Sequence, residues 1–187
     1  MTIETARLRL REPDAGDVEL LRAYYRRNDA RFEPWGENRR DLAEEHQAWV
    51  AGRQAERRDG APTTFLAFDR ASGATVAVIM LTGFSVDPPG AMVSYSVDGE
   101  YEGVGFASEA VRAVVEYAFG TLNVQALTAH YDPDNVRSER LLQRLGFREL
   151  ARMGPILLPH VRQRGQVIAV LERDPAAGRS PDVPGRT

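Results

Sequence analysis

The sequence contains no cysteine, and this absence excludes several kinds of site at once. The chain cannot form disulfides, hold zinc through thiolates or use a cysteine nucleophile. Lysine is absent too, so all 24 basic residues are arginine, a composition that genome bias alone can produce. The three histidines, His46, His130 and His160, lie far apart in the sequence and in no ligand spacing, so we expect no metal site.

Long apolar runs and a surplus of positive charge are also missing. No run approaches the roughly 20 apolar residues that a membrane-spanning helix needs. Residues 1–4 lack the basic and apolar regions of a secretory signal. The formal net charge of -3 argues against binding to nucleic acid or to a membrane surface, since both usually require a basic surface. We therefore expect a cytoplasmic protein with neither of these partners.

The remaining composition is that of an ordinary globular domain. Hydrophobic residues make up 43% of the 187 residues and charged residues 27%, which is sufficient for one hydrophobic core. The C-terminal stretch is rich in proline, glycine and aspartate, a composition typical of disorder. We expect one domain over residues 1–173 and a disordered tail over residues 174–187.

The periodicity of the apolar residues predicts an α/β (α+β) fold. Polar and apolar residues alternate from Thr5 to Arg11, as in a strand with one buried face. Asp14 is placed to cap a helix that runs to about Arg27, and proline and glycine interrupt the pattern at residues 32–36. The other predicted elements are a helix over 39–58, strands over 63–68, 75–84 and 91–97, a helix over 106–120, a strand over 125–131, a helix from Asn135 to Gly146 and a strand over 166–171. We expect a mixed sheet covered by helices.

A glycine-bearing loop between a strand and a helix is the first segment that suggests chemistry. Gly103 and Gly105 allow a tight turn that aims several backbone N–H groups at one point. That point lies at the N-terminus of the helix that begins near Phe106, where the helix dipole also favours an anion. A pyrophosphate group fits such a site, although an ordinary strand-to-helix turn has the same pattern.

The second segment, residues 132–147, is typical of a capped helix, with Asn135 at its start and Gly146 at its end. Together, in this order and at this spacing, the two segments resemble the GNAT superfamily of N-acetyltransferases. Residues 101–110 resemble its acetyl-CoA signature, and residues 135–147 its later element. Residues 4–11 and the loop with Pro34 and Trp35 resemble, more narrowly, the RimJ/RimL branch, which acetylates N-terminal amines of ribosomal proteins. The resemblance covers roughly residues 4–172.

The resemblance implies a mostly antiparallel sheet in which the fourth strand, residues 91–97, splays from the fifth, residues 125–130. The space between them would hold the pantetheine arm of acetyl-CoA, paired with strand backbone, and one N–H would polarise the thioester carbonyl. An amine would then attack the thioester directly, without a covalent enzyme intermediate. The implied cofactor-binding residues are Tyr95, Ser96, Val97, Gly103, Val104, Gly105, Phe106, Ala107, Ser108 and Asn135.

Several residues depart from the family's pattern. Glu102 stands where many relatives carry glutamine or tryptophan, and Val104 where they often carry lysine or arginine. The loop therefore has a carboxylate near the phosphate site and lacks one cation, which an arginine from elsewhere could supply. Leu142 occupies the position of a tyrosine that protonates the leaving thiolate in some members. Residues 154–156 occupy the stretch where relatives carry a carboxylate.

His130 and Ser138 are the candidate catalytic residues. By its spacing from Asn135, His130 falls where other members place a glutamate general base, and a histidine can accept a proton from the incoming ammonium. His130 also fits an ordinary hydrogen-bonding role in the cleft wall. Ser138 matches the serine of the family element, where it could hold a water or the thiol, or only satisfy helix N–H groups.

Three functions are compatible with the resemblance. The first is acetylation of a protein N-terminal α-amine. The second is acetylation of a small amine such as an antibiotic or metabolite, since one fold supports many acceptors. The third is a non-catalytic module that binds acetyl-CoA as a sensor. The sequence has no signature that decides between a monomer and a homodimer.

Overall fold

The computed structural model describes residues 1–33, 43–158, 161–163 and 165–174. In these ranges the chain forms ten strands and four α-helices. The strands are β1 (Thr2–Glu4), β2 (Leu8–Arg11), β3 (Thr64–Asp69), β4 (Thr75–Val86), β5 (Pro89–Val97), β6 (Ala126–Tyr131), β7 (Arg148–Met153), β8 (Ile156–Leu158), β9 (Val161–Gln163) and β10 (Gln166–Glu172). The helices are α1 (Val18–Phe32), α2 (Ala43–Ala55), α3 (Phe106–Gly120) and α4 (Val136–Arg144).

Eight of the strands form one mixed sheet, in the order β1-β2-β3-β4-β5-β6-β10-β7. Neighbouring strands are antiparallel except β5 and β6, which are parallel. The short strands β8 and β9 pair with each other. A mostly antiparallel sheet with helices on it confirms the predicted fold class.

The parallel pair β5–β6 separates after a short stretch. Its register joins Gly90 to Ala126, Ala91 to Leu127 and Met92 to Thr128, and nothing later in the described part of β5 pairs with β6. The ends of the two strands, residues 93–97 and 129–131, therefore diverge. This gap confirms the predicted splay, although the strands are the fifth and sixth of the chain because β1 precedes those predicted.

Helices cover both faces of the sheet. Successive strand residues point to opposite faces, and apolar side chains on both faces need helices to bury them. The inward side chains of α3, such as Val111 and Val114, lie in one core with Phe65 of β3. Its neighbour Leu66 points the other way, into a second core with Leu21 of α1 and residues of α2. The gap between β5 and β6 thus lies in a sheet with α3 and α4 on one face and α1 and α2 on the other.

Several predicted boundaries differ from the structure at the N-terminal end. The strand predicted over residues 5–11 is only the second half of a hairpin: Thr5 N–H donates to Leu8 O at 2.9 Å, so residues 5–7 form the turn and only residues 8–11 form a strand, β2, paired with β1. Asp14 caps a single 3-10 turn, Ala15–Asp17, so that α1 begins only at Val18. The same helix continues past Arg27 to Phe32.

Strands β7, β8 and β9 were not predicted. All of β7 is exposed except Ala151, which is half-buried, so the strand has no alternating apolar side to recognise. The predicted loop at residues 34–36, the predicted helix residues 39–42 and the predicted tail after Asp174 lie outside the described residues. In the described ranges, none of the helices combines the length and the apolar character needed to cross a bilayer.

The packing next to the gap leads to a stability prediction. Leu127 of β6 is fully buried, whereas Leu150 of β7 is 56% exposed. Leu127→Ala should lower the free energy of unfolding by about 2–5 kcal/mol, because it removes buried methyl groups and leaves a cavity. The matched change Leu150→Ala should cost less than about 0.5 kcal/mol. Urea unfolding measures both, and equal effects would contradict this assignment of the core.

Candidate functional site

A cleft of about 860 Å³ opens where β5 and β6 separate. The ends of both strands, the last turn of α1, the start of α3 and the helix α4 form its walls. Eight of the predicted site residues line it: Tyr95, Ser96, Val97, Gly103, Ala107, His130, Asn135 and Ser138. The other four predicted residues belong to the same loop and helix turn but lie outside the lining: Val104, Gly105, Phe106 and Ser108.

Only every second residue of β5 directs its backbone N–H and C=O groups toward the cleft. Asp98 N–H donates to Val76 O of β4 at 2.8 Å, and the register pairs Ser96 with Val78. Because neighbouring strand residues direct their N–H and C=O groups to opposite sides, Ser96 bonds with β4. The N–H and C=O groups of Tyr95 and Val97, and the C=O of Val93, point into the gap instead. Tyr95 and Val97 therefore fit the predicted backbone role, Ser96 does not, and Val93 was missed.

The segment from Asp98 to Gly105, called here the glycine loop, leads from β5 into α3. Gly103 and Gly105 have φ angles of 76° and 86°, a left-handed conformation that side-chain-bearing residues rarely adopt. The first helical bond of α3 runs from Glu109 N–H to Gly105 O at 3.1 Å. The N–H groups before Glu109 have no acceptor within the helix, so this end of α3 suits an anion.

Arg7, next to β2, supports the glycine loop from outside the cleft. Its guanidinium donates to Val104 O at 2.9 Å and to the Glu109 carboxylate at 2.7 Å, and it lies 4.3 Å from the centre of the Phe106 ring. Thr5 donates a further bond to Glu109 at 2.6 Å. Burial raises the pKa of Glu109, but the bonds from Thr5 and Arg7 outweigh it and leave the pKa below its usual value. Residues from the opening motif of the chain thus fix the start of α3.

One side of α1 contacts the end of β5 and the glycine loop along its length. Tyr24 Oη donates to Ser96 Oγ at 3.1 Å, and Asn28 Oδ1 accepts from Gly99 N–H at 2.9 Å. Arg27 binds the carboxylate of Asp98. Positions three and four apart share one face of a helix, which is why these side chains reach successive residues of one segment. We call Tyr24, Arg27, Asn28 and Arg31 the α1 contact face.

The carboxylate of Glu102 is compensated by two arginines. Arg31 of the α1 contact face and Arg137 of α4 both form ion pairs with it, the second at 2.7 Å. Both arginines also line the cleft, so the charge around Glu102 is basic on balance. The sequence pattern did not predict these two residues, although an arginine from elsewhere was expected to replace the cation that Val104 lacks.

The candidate catalytic residues lie on opposite faces of the sheet. Ser138 Oγ is 2.8 Å from Tyr95 Oη, on the face that α3 and α4 cover. His130 is exposed and alternates along β6 with Ala129 and Tyr131, whose side chains are buried in the core under α3 and α4. His130 therefore points to the face that α1 and α2 cover, so a molecule that passes through the gap meets one residue on each side.

Asn135 and Leu142 have structural roles that their positions explain. Asn135 Oδ1 accepts from Ser138 N–H at 3.1 Å, which confirms the predicted helix cap while the residue also lines the cleft. Leu142 lines the cleft but is only 2% exposed.

Burial raises the pKa of Tyr95 to about 12, against the opposing effect of its hydrogen bond with Ser138.

Comparison with known proteins gives a family match over most of the chain. Residues 7–148 match the model described as acetyltransferase (GNAT) domain. The ribosomal protein uS5-alanine N-acetyltransferase of Escherichia coli (strain K12) is 28% identical over 180 residues, which is 90% of this chain and 89% of that protein. The probable N-acetyltransferase YjcK of Bacillus subtilis (strain 168) is 36% identical over 86 residues, 45% of this chain. That match spans about half of YjcK, 47% of its length.

A solved structure extends the comparison to the whole fold. RimL, a ribosomal L7/L12 alpha-N-protein acetyltransferase in complex with coenzyme A, superposes with a TM-score of 0.81 at 17% identity. The superposition covers 92% of this chain and 98% of that chain. At this identity the likeness shows that the two chains share a fold.

The α1 contact face leads to a prediction about the glycine loop. Asn28 is 1% exposed, and Asn28→Ala leaves Gly99 N–H without its acceptor. The change should lower the free energy of unfolding by about 1–3 kcal/mol, the cost of an unpaired buried donor. It should also speed hydrogen exchange at residues 99–102. Asp29→Ala, exposed on the same helix, is the control, and exchange as slow in Asn28→Ala as in this control would contradict the assigned contact.

Proposed function

Because the chain belongs to the GNAT acetyltransferase family, we propose that it transfers the acetyl group of acetyl-CoA onto a primary amine. The observation that carries this proposal is the edge of β5 beyond Met92, which no strand of the described residues pairs with and which ends beside the start of α3. Coenzyme A has two groups that fit these two features in the same order. Its pantetheine arm contains amides that can pair with the edge of β5, and the arm is joined to a pyrophosphate that fits the start of α3. The coenzyme A that is present in the RimL structure of the same fold supports this choice.

Each part of the cofactor has candidate partners in the cleft. Tyr95 and Val97 offer their N–H and C=O groups, and Val93 its C=O, to the amides of the pantetheine arm, as an added strand would use them. The first-turn amides of α3 and those of Gly103 and Gly105 suit the pyrophosphate. Arg31 and Arg137, already at the cleft, supply positive charge. Asn135 lies where the arm would pass α4.

The acceptor that we propose is the α-amine of a protein N-terminus. Two relatives support it through their names, which specify an alanine of ribosomal protein uS5 and an alpha-N-protein activity. A cytoplasmic location belongs to the same proposal.

The reaction needs alignment, proton removal and charge stabilisation. His130, on the face away from Ser138, accepts a proton from the ammonium, and the neutral amine nitrogen then bonds to the thioester carbon. A backbone N–H on the free edge of β5 stabilises the oxyanion. The carbon–sulfur bond breaks, the electron pair stays on sulfur, and the sulfur leaves toward Ser138.

The first experiment measures the binding of acetyl-CoA by calorimetry, with ATP and NADH as controls. Selective binding of acetyl-CoA and free coenzyme A is expected, and no binding would overturn the proposal. Peptides with free and with blocked N-termini, and a panel of small amines, are then assayed by product mass. Acetylation of free N-termini alone is expected. Products only from small amines would favour the metabolite reading, and no release of coenzyme A from any amine would favour a non-catalytic module.

The role of His130 leads to a kinetic prediction. His130→Ala should lower kcat by about 100-fold or more, the usual contribution of a general base, while the Kd for acetyl-CoA changes little. Thr128→Ala is the matched control, since Thr128 precedes His130 on the same side of β6 and does not line the cleft. A His130→Ala variant with the kcat of the control at every pH would contradict the base assignment.

A further inference from the structure

Tyr95 brings a side chain as well as its backbone to the cleft. Its hydroxyl lies 2.8 Å from Ser138 Oγ, so that a phenol from β5 meets the first turn of α4. Leu142, one helical turn beyond Ser138, is an aliphatic residue that cannot donate a proton. In the described part of the cleft, Tyr95 of β5 is the only tyrosine whose hydroxyl is hydrogen-bonded to α4.

The direction of this hydrogen bond determines what Ser138 can do. A hydroxyl has one proton, and if Ser138 gives it to Tyr95 nothing remains for a ligand. A phenol is a stronger acid than an aliphatic alcohol and is thus the better donor of the two. Burial keeps Tyr95 protonated, with its pKa raised to about 12, so the donor form persists at neutral pH. With Tyr95 as donor, the proton of Ser138 is free to point into the cleft.

We propose that Tyr95 is a positioning residue that directs the hydroxyl proton of Ser138 toward the leaving sulfur. This inference rests on the proposed function. As the carbon–sulfur bond breaks, the sulfur keeps the electron pair and takes the proton of Ser138. The oxygen of Ser138 takes the proton of Tyr95, and Tyr95 recovers one from solvent. The nitrogen loses two protons in all: His130 takes one from the ammonium before attack, passes it to solvent, and then takes the second from the nitrogen of the adduct. The sulfur gains one proton, so the products are an amide, a free thiol and one proton released to solvent.

A double-mutant cycle tests the proposal. Ser138→Ala should lower kcat by about 100-fold and Tyr95→Phe by about 10-fold, as expected for a proton donor and for the group that orients it. Because Tyr95 acts through Ser138, the double variant should have the kcat of Ser138→Ala alone. The Kd for acetyl-CoA should stay within about twofold of the wild type in all three, since neither hydroxyl is assigned to cofactor binding.

Tyr117→Phe is the matched control. Tyr117 also has a pKa raised to about 12 and a buried hydrogen bond, to Pro62 O at 2.8 Å, but it does not line the cleft. It should lose stability as Tyr95→Phe does and keep the wild-type kcat. Wild-type kcat in Tyr95→Phe, or independent effects in the double variant, would overturn the positioning role alone. A wild type that acetylates no amine would overturn the proposed function, and the positioning role with it.

Discussion

The separation of β5 from β6 is the constraint on which the rest of the site depends. Pairing ends at Met92 and Thr128, and beyond that point no strand of the described part of the chain pairs with this polar backbone edge. Backbone N–H and C=O groups require hydrogen bonds, so such an edge must bind water or a ligand. The gap also opens to both faces of the sheet, so the roles proposed for His130 and Ser138 place them on opposite sides of one bound molecule.

The contacts around the gap keep it open by holding β5 and the glycine loop from three directions. The α1 contact face binds the segment on one side of the sheet, and Arg7 fixes the start of α3 on the other. Glu102 joins both sides, because its carboxylate pairs with arginines from α1 and from α4. Glu102 alone would disfavour a phosphate, but its ion pairs hold two arginines beside the proposed phosphate site.

Sequence patterns predicted the helices and the loop well, because these depend on local chemistry. The bounds of α3, Phe106 to Gly120, follow from its apolar period and its flanking glycines. The gap followed only from the family resemblance, since no local pattern shows where two strands stop pairing. The α1 contact face was missed because its partners are 71 to 72 residues away, and polar side chains on a helix ordinarily face solvent. The role proposed for the Tyr95 hydroxyl likewise depends on a contact between distant elements.

Residue-specific hydrogen exchange in β5 tests the central claim most directly. If the gap binds acetyl-CoA as an added strand, the ligand should slow exchange at the amides that face it, those of Tyr95 and Val97. The amides of Ser94 and Ser96, which already bond with β4, should change little. This alternation along one strand is the predicted result. Uniform protection along β5, or protection confined to other strands, would contradict the account.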